Sequence, residues 1–424
     1  MSSSGCGAKR ADLIQAVILA GGRGERLRPL TDFVPKALVS VAGQPFLGHL
    51  FELLASRGVS DALVLAGYRA NQITDFCRSN PTHDLKVKVL EGADELTTAE
   101  RLCQAAPHLH DEFLLLYCDN YFEFSPSKLR QLHIDKGADI TFTLVSKPEG
   151  NVAYDPLSNR VTSYSQDRSS VVYPAVEVGF MLVNKIAFLK SLSKTQDVPA
   201  TFVDLTVQGK VFGSFSHAPY WSISDQTRLI AADEALSRKK ILLLDRDGVL
   251  NERAPVAQYI KRPEDVVMIS DTCQALTMLA SKGFEFIVIS NQAGVGRGVM
   301  SKIDVELVNN RIKNELESHG VEILDFFVCP HAWDEGCLCR KPAPGLFYEA
   351  AKRHKFLLEH VAYVGDDERD VLAATAAGAL PVLLKSVPQT PSATEGFQSS
   401  SLIDLVNPLS DFYAESRSRE VGYI

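Results

Sequence analysis

Ile241-Leu242-Leu243-Leu244-Asp245-Arg246-Asp247-Gly248-Val249-Leu250-Asn251 lies just past the midpoint of the 424-residue chain, and the rest is organised around it. A four-residue apolar run is too short for a helix. It reads as a strand buried on both faces, as in a parallel sheet covered by helices. Ligand crevices of open α/β sheets lie beyond the carboxyl ends of the strands, so Asp245 and Asp247 are expected there, with Gly248 turning the backbone sharply. Two carboxylates at this spacing suit Mg²⁺ binding and attack on phosphorus, although a bare D-x-D more often marks a solvated acidic turn. The downstream sequence removes that bland reading. Phe286–Gln292 is a second strand ending in Ser290 and Asn291, Arg340-Lys341-Pro342 supplies cations, and Val361–Asp370 is a third strand ending in acid.

The length exceeds what one core usually organises and predicts two domains. A formal net charge of −8 argues against nucleic acid or an anionic membrane as the main partner. Neither a signal peptide nor an 18-residue apolar run is present, so a cytoplasmic location is expected. Of eight cysteines, Cys329, Cys337 and Cys339 cluster beside His331. The spacing C-x-H-x₅-C-x-C offers three thiolates and an imidazole, the set that tetrahedral Zn²⁺ prefers, with a reactive redox pair as the rival reading.

In the first half, Ala16–Ala20 reads as a buried strand running into Gly21-Gly22-Arg23-Gly24-Glu25-Arg26-Leu27-Arg28-Pro29-Leu30-Thr31. Glycines bring backbone N–H groups close to phosphate oxygens and arginines neutralise them, so this is a phosphate loop in character. It matches neither G-x-x-x-x-G-K-[ST] nor G-x-G-x-x-G. Helices and strands then alternate: helix 46–57, strand 62–66, helix 71–78, strand 86–90, and a strand from Phe113 that ends in Asp119. A closing helix, Thr227–Leu236, precedes a charged linker at 237–240. The expected layout is a polar leader 1–11, a domain 12–236, the linker, a domain 241–386 and a Pro/Ser/Thr/Gln-rich tail 387–424 ending in one short helix.

With Val34-Pro35-Lys36-Ala37-Leu38-Val39 and Val41–Leu47, the glycine stretch resembles the sugar-1-phosphate nucleotidyltransferases. The resemblance implies a Rossmann-like domain in which Gly21, Gly22, Arg23 and Gly24 hold a nucleoside triphosphate while Arg26 and Lys36 neutralise the transferring phosphates. It further implies that the Leu96–Leu102 segment, with Thr98, lies beside the base, that Asp119 binds metal, and that Glu177 and Gly179 contact the sugar. Two departures stand out. The family's Leu-Gly-Thr-Ala-Gly-Ala-Leu reads Leu96-Thr97-Thr98-Ala99-Glu100-Arg101-Leu102 here, and its Trp-x-Asp-Ile-Gly-Thr reads Trp221-Ser222-Ile223-Ser224-Asp225 after Tyr220. Serine stands at the second metal carboxylate. Three alternatives follow: Asp225 supplies the ligand, Asp119 and the triphosphate suffice, or the domain binds nucleotide sugars without making them.

The four elements of the second half resemble the haloacid dehalogenase superfamily of phosphatases, and the cysteine loop is similar to that of its histidinol-phosphate and heptose 1,7-bisphosphate branch. The expected fold class is therefore α/β, with two doubly wound three-layer α/β/α (Rossmann-like) domains, the second of haloacid dehalogenase type with a zinc loop. The resemblance implies Asp245 as nucleophile, Asp247 as acid and base, and Ser290 and Lys341 as phosphoryl binders. Mg²⁺ would sit on Asp245, the Asp247 carbonyl and Asp366. Asp370 orients Lys341, stands behind the metal's direct ligands, or caps the following helix, while Asn291, Arg297 and Arg340 are candidate substrate contacts. Fusion to a consumer of sugar 1-phosphates selects D-glycero-D-manno-heptose 1,7-bisphosphate as phosphatase substrate, then nucleotidyl transfer to the 1-phosphate from an NTP, with GTP favoured. Histidinol-phosphate hydrolysis, or a first domain that only binds, are the alternatives. Assembly into a homo-oligomer stays open.

Overall fold

The computed structural model describes residues 14–81, 84–166, 173–237, 239–255, 258–385 and 396–418. The leader read over 1–11 and the stretch 386–395 lie outside the described residues. The chain divides into two compact units, 1–233 and 234–424. Among the described residues no helix is long and apolar enough to cross a membrane.

In the first unit the apolar runs become a nine-stranded sheet. Its spine runs in the order Lys86–Glu91, Asp61–Ala66, Gln15–Ala20, Glu112–Tyr117, Tyr173–Asn184. The first four strands are parallel, and the fifth runs antiparallel to its neighbour. Ile140–Gly150 pairs antiparallel with Tyr173–Asn184, so this sheet is mixed rather than uniformly parallel. Ala16, Val17 and Ile18 are fully buried, as a strand covered on both faces requires. From Gln15–Ala20 the chain builds outward on one side and then returns to place Glu112–Tyr117 on the other. That reversal opens a crevice at the carboxyl ends of these two strands.

The second unit repeats this logic with six parallel strands. Across the sheet they run Ile323–Cys329, Glu285–Asn291, Ile241–Leu244, Ala362–Gly365, Leu380–Leu384, Phe397–Ser399. Counted in chain order this is 3-2-1-4-5-6, with its reversal between Ile241–Leu244 and Ala362–Gly365. Alternate residues of Ile241–Leu244 enter different cores. Leu242 and Leu244 join Phe286 and Val288, whereas Ile241 and Leu243 join Ile287 and Ile289.

The tail read as lying beyond the second domain needs correction. Phe397–Ser399 is the sixth strand of the sheet, and Leu402, Leu405, Val406, Leu409 and Tyr413 are buried in its core. The Tyr413 hydroxyl donates to the Ile241 carbonyl and accepts from Ala362 N at 2.9 Å. The polar stretch between hides this continuation from a pattern search. Linker residues are likewise tied down: Lys239 Nζ donates to His354 O at 2.9 Å and Lys240 Nζ to Lys282 O at 2.8 Å.

Candidate active sites

Asp245 leaves the end of the central strand directly into the crevice of the second unit, a cleft of about 370 Å³ that Asp247, Ser290, Asn291, Gln292, Arg340, Lys341 and Asp370 also line. Its Oδ1 accepts from Arg246 N at 2.7 Å, and its Oδ2 lies 2.9 Å from Lys341 Nζ. Burial pushes its carboxyl up to about 7, against the opposing pull of Lys341. Lys341, 3% exposed, also bonds Asp370 Oδ1 at 2.7 Å, the Tyr363 hydroxyl at 2.6 Å and Ile289 O at 3.1 Å. Burial works to lower its pKa, but the two carboxylates outweigh that and hold it as an ammonium. Asn291 fixes the Lys341 backbone from both sides, accepting from its N–H and donating to its carbonyl at 3.1 Å each.

Two of the readings of Asp370 hold together, one on each oxygen. Oδ1 receives Lys341, while Oδ2 accepts the N–H groups of Asp366 and Asp367 at 3.1 Å and so completes the capping box of helix Glu368–Ala377. Asp247 is held by the Arg246 guanidinium at 3.2 and 2.9 Å, by Asn251 Nδ2 at 3.0 Å and by Gln292 Nε2 at 2.8 Å. Burial pushes its pKa up, but Arg246 and these hydrogen bonds prevail and hold it below the ordinary value. Gln292 also donates to Ser290 Oγ at 2.9 Å.

Oxygens of Asp245, Asp366 and Asp370 gather within 4.8 Å of one another, close enough to share a cation. Burial raises Asp366 to about 6. Its carboxylate is paired with Arg253, whose Nε reaches toward the Asp247 carbonyl at 3.4 Å. Cys329, His331, Cys337 and Cys339 form a second possible metal group. Their sulfurs stand 3.7, 3.5 and 3.4 Å apart, and His331 Nδ1 is 3.6 and 3.1 Å from Cys329 and Cys339. Tetrahedral ligands at zinc–sulfur distances would stand about 3.8 Å apart, so the cluster has nearly the dimensions of a closed metal site.

The crevice of the first unit is larger, about 930 Å³, and Gly21, Gly22, Arg23, Gly24, Arg26, Lys36, Thr98 and Asp119 all line it. Lys36 forms an ion pair with Asp119. Thr97 caps helix Thr98–Ala105 in a capping box with Glu100. The glutamate that replaces the resembled glycine is thus accounted for by the helix start.

Asp225 does not join Asp119. Its Oδ1 accepts Arg228 N at 2.9 Å, its Oδ2 pairs with Arg228 Nε at 3.3 Å, and it is not among the residues lining the crevice. Ser222 is buried, in register with Asn120. Glu177 Oε2 accepts from Gly179 N at 2.9 Å, and neither residue lines the crevice. Arg297 is exposed and bonds the hydroxyl of Tyr259, which lines the smaller cleft. Arg340 Nη1 is buried with no partner among the described residues.

Arg101, Arg246, Arg253, Gln292 and Tyr363 carry much of the geometry, and sequence reasoning did not single them out. Arg246 carried a signal, standing between two aspartates, whereas Tyr363 sits in an apolar run and Arg253 in an irregular loop.

Two family models match the chain: nucleotidyl transferase over residues 15–153 and HAD-hydrolase-like over 338–403. The D-glycero-beta-D-manno-heptose-1,7-bisphosphate 7-phosphatase of Pseudomonas putida is 37% identical over 164 residues, 39% of this chain and 93% of that protein. The D-glycero-alpha-D-manno-heptose-1,7-bisphosphate 7-phosphatase of Photorhabdus laumondii is 36% identical over 146 residues, 33% of this chain and 78% of that protein. The crystal structure of HddC from Yersinia pseudotuberculosis is 23% identical, with a TM-score of 0.44, covering 52% of this chain and 98% of that one.

Proposed function

The chain belongs, through its second unit, to the heptose-1,7-bisphosphate 7-phosphatase family, and we propose from that premise a bifunctional enzyme of sugar activation. The second unit removes the 7-phosphate of D-glycero-D-manno-heptose 1,7-bisphosphate. The first transfers a nucleotidyl group, from GTP in this reading, to the 1-phosphate that remains. The observation that carries the phosphatase is Asp245, held at the sheet's reversal by Lys341 Nζ and Arg246 N and lining the same cleft as Ser290.

Asp245 Oδ attacks phosphorus in line, and the bond to the sugar oxygen breaks as the aspartyl bond forms. Lys341 and Ser290 meet the phosphoryl oxygens, where charge concentrates. Asp247 completes the cycle by taking a proton from the water that attacks the aspartyl phosphate. Its earlier donation to the leaving oxygen requires the carboxylate to loosen from Arg246 and pick up a proton. Asp245, Asp366 and the Asp247 carbonyl would hold Mg²⁺, which when bound offsets repulsion between the carboxylate and the phosphate dianion. Cys329, His331, Cys337 and Cys339 would hold a structural Zn²⁺ that braces the loop leading into Arg340 and Lys341.

A second reading has its own support: the first unit binds a nucleotide or nucleotide sugar without transfer. Asp225 is engaged by Arg228, and among the described residues Asp119 belongs to no group of three or more metal-type ligands. Phosphate and pyrophosphate release, with heptose bisphosphate and each NTP, separates the two. If Asp245→Asn abolishes phosphate release and Lys36→Ala abolishes the pyrophosphate that follows, both units are enzymes. Phosphate without pyrophosphate supports the binding module, and no phosphate from the bisphosphate but rapid release from histidinol phosphate would overturn the substrate.

A further inference from the structure

We propose that Arg101 determines base specificity in the larger crevice, selecting a nucleotide that turns a carbonyl oxygen toward it over one that turns an amino group. Guanine O6 and uracil O4 share that chemistry; adenine and cytosine present amino groups instead. The inference rests on the reading of the first unit as a nucleotide site.

Arg101 is only 5% exposed yet lines the crevice. Its Nη1 donates to Ala66 O at 2.8 Å, and its Nη2 to Ala93 O at 2.7 Å and Asp94 O at 3.4 Å. Those carbonyls end or follow the adjacent strands Asp61–Ala66 and Lys86–Glu91, so the guanidinium is fastened to two strand ends. Three glycines make room for it. A Cβ on Gly21 would come within 2.4 Å of Nε, one on Gly67 within 2.3 Å of Nη2, and one on Gly92 within 2.8 Å of Nη1. A side chain so enclosed cannot swing to suit different ligands.

Of its five N–H donors three are spent on those carbonyls, which leaves the second N–H of Nη1 and that of Nε. Nε has no hydrogen-bond partner among the described residues, is not one of the solvent-sealed unpaired atoms, and lies beside Gly21, which lines the crevice. Its place along the sheet indicates what it meets. Asp119 and Lys36 lie at the end of Glu112–Tyr117, and the strands that anchor Arg101 are two and three places away. Neighbouring strands are about 4.8 Å apart, which puts the carbonyls that hold the guanidinium roughly 10–14 Å across the sheet from the end of Glu112–Tyr117, with Nε, beside Gly21, on the near side of that anchor. With the phosphates over the glycine loop and Lys36, the far end of the nucleotide is its base. A carbonyl there satisfies the donor. An amino group sets donor against donor beside a fixed positive charge and leaves both unpaired, which a rigid site rejects strongly.

The test is equilibrium binding of GTP, ITP, UTP, ATP and CTP to the full-length protein and to Arg101→Gln, with thermal unfolding as the check on folding. ITP differs from ATP at the six-position edge alone, so that pair isolates the contact. The wild type should bind ITP over ATP, or UTP over CTP, by about ten- to a hundred-fold; whichever pair responds says whether the source is a purine or a pyrimidine. The glutamine amide of the variant can present oxygen or nitrogen and should bring each pair within a few-fold while binding persists. If Arg101→Gln does not fold, Arg101→Met, which removes the donor at similar length, should do the same. A wild type that ranks nucleotides by ring size alone, or variants that weaken all five equally, would overturn the proposal and leave the nucleotide site standing. No binding of any nucleotide would overturn both.

Discussion

Gly248→Ala adds one methyl group to the turn after Asp247, at a place where the structure leaves no room. Gly248 has φ +92°, and a Cβ there would lie 1.7 Å from Asp366 Oδ2, 2.4 Å from its Cγ and 2.8 Å from Arg253 Nε. Real Cβ contacts essentially never fall below 3.0 Å, so the Asp366 carboxylate must retreat by about 1.3 Å, the difference between 3.0 and 1.7 Å. A displacement of that size at a reacting centre costs about a hundred-fold in rate. The left-handed backbone adds about 1–2 kcal/mol of instability for any residue with a Cβ. Gly283→Ala separates the two effects, because Gly283 has φ +81° and nothing within 4 Å of its Cβ position. Both variants should lose about 1–2 kcal/mol in urea unfolding. Phosphate release from heptose bisphosphate at saturating Mg²⁺ should fall about a hundred-fold in Gly248→Ala alone, with a raised Mg²⁺ requirement. If Gly248→Ala turns over within three-fold of wild type with unchanged Mg²⁺ dependence, Asp366 is not held where the mechanism needs it.

Lys341→Met strands two buried carboxylates, Asp245 and Asp370, and should cost about 3–5 kcal/mol in the second unit, read by denaturant unfolding; a loss under 1 kcal/mol would show that the carboxylates simply take up protons. Arg253→Gln removes a cation from Asp366 and should tighten Mg²⁺ binding about five- to ten-fold in calorimetry without substrate, whereas weaker binding would make Arg253 a support of the site. The carboxyls of Asp245 and Asp366, raised to about 7 and about 6 by burial, contribute stability that is full below their unfolded values near 4 and is lost as pH rises through 6–7. Because Mg²⁺ binds the ionised forms, its stabilisation of the protein should be larger at pH 8 than at pH 5.5, and an equal shift in melting temperature at both would refute the assignment. Elemental analysis should find one zinc per chain, and stripping it should lower both melting temperature and phosphate release with Mg²⁺ in excess; retained activity after complete removal would separate the cysteine loop from the site.

What was legible in the sequence was what is local in it. Ile241–Asp247 declares both a two-faced strand and the acids at its end within seven residues, and the glycine loop after Ala20 does the same for the first unit. The four metal-type ligands lie within eleven residues, so their grouping is visible before any fold is known. The mixed character of the first sheet was not legible, because an apolar strand such as Tyr173–Asn184 reads alike whichever way it runs. Nor was the sixth strand of the second sheet, Phe397–Ser399, whose three residues follow a long polar stretch and gain meaning only from the sheet edge they meet.

The residues that set the electrostatics were hidden for a different reason. Tyr363 is one apolar-looking position in a buried strand, yet its hydroxyl meets Lys341, a residue 22 positions earlier, and Ile289 O, 74 positions earlier. Arg101 is one cation in an amphipathic helix, and its role depends on three glycines 9, 34 and 80 positions away that have no common motif. Such contacts are consequences of topology. The parallel order brings the carboxyl ends of distant strands side by side, and any long polar side chain arriving there finds carbonyls, carboxylates or ligand atoms rather than water. The acids at strand ends can therefore be read from sequence, while the cations that tune them depend on which strands become neighbours. In both units the acid across the reversal, Asp119 or Asp366, is met by a cation from a separate loop, Lys36 or Arg253. In these folds the motif locates the chemistry, and the sheet order decides how strongly each charge in it is held.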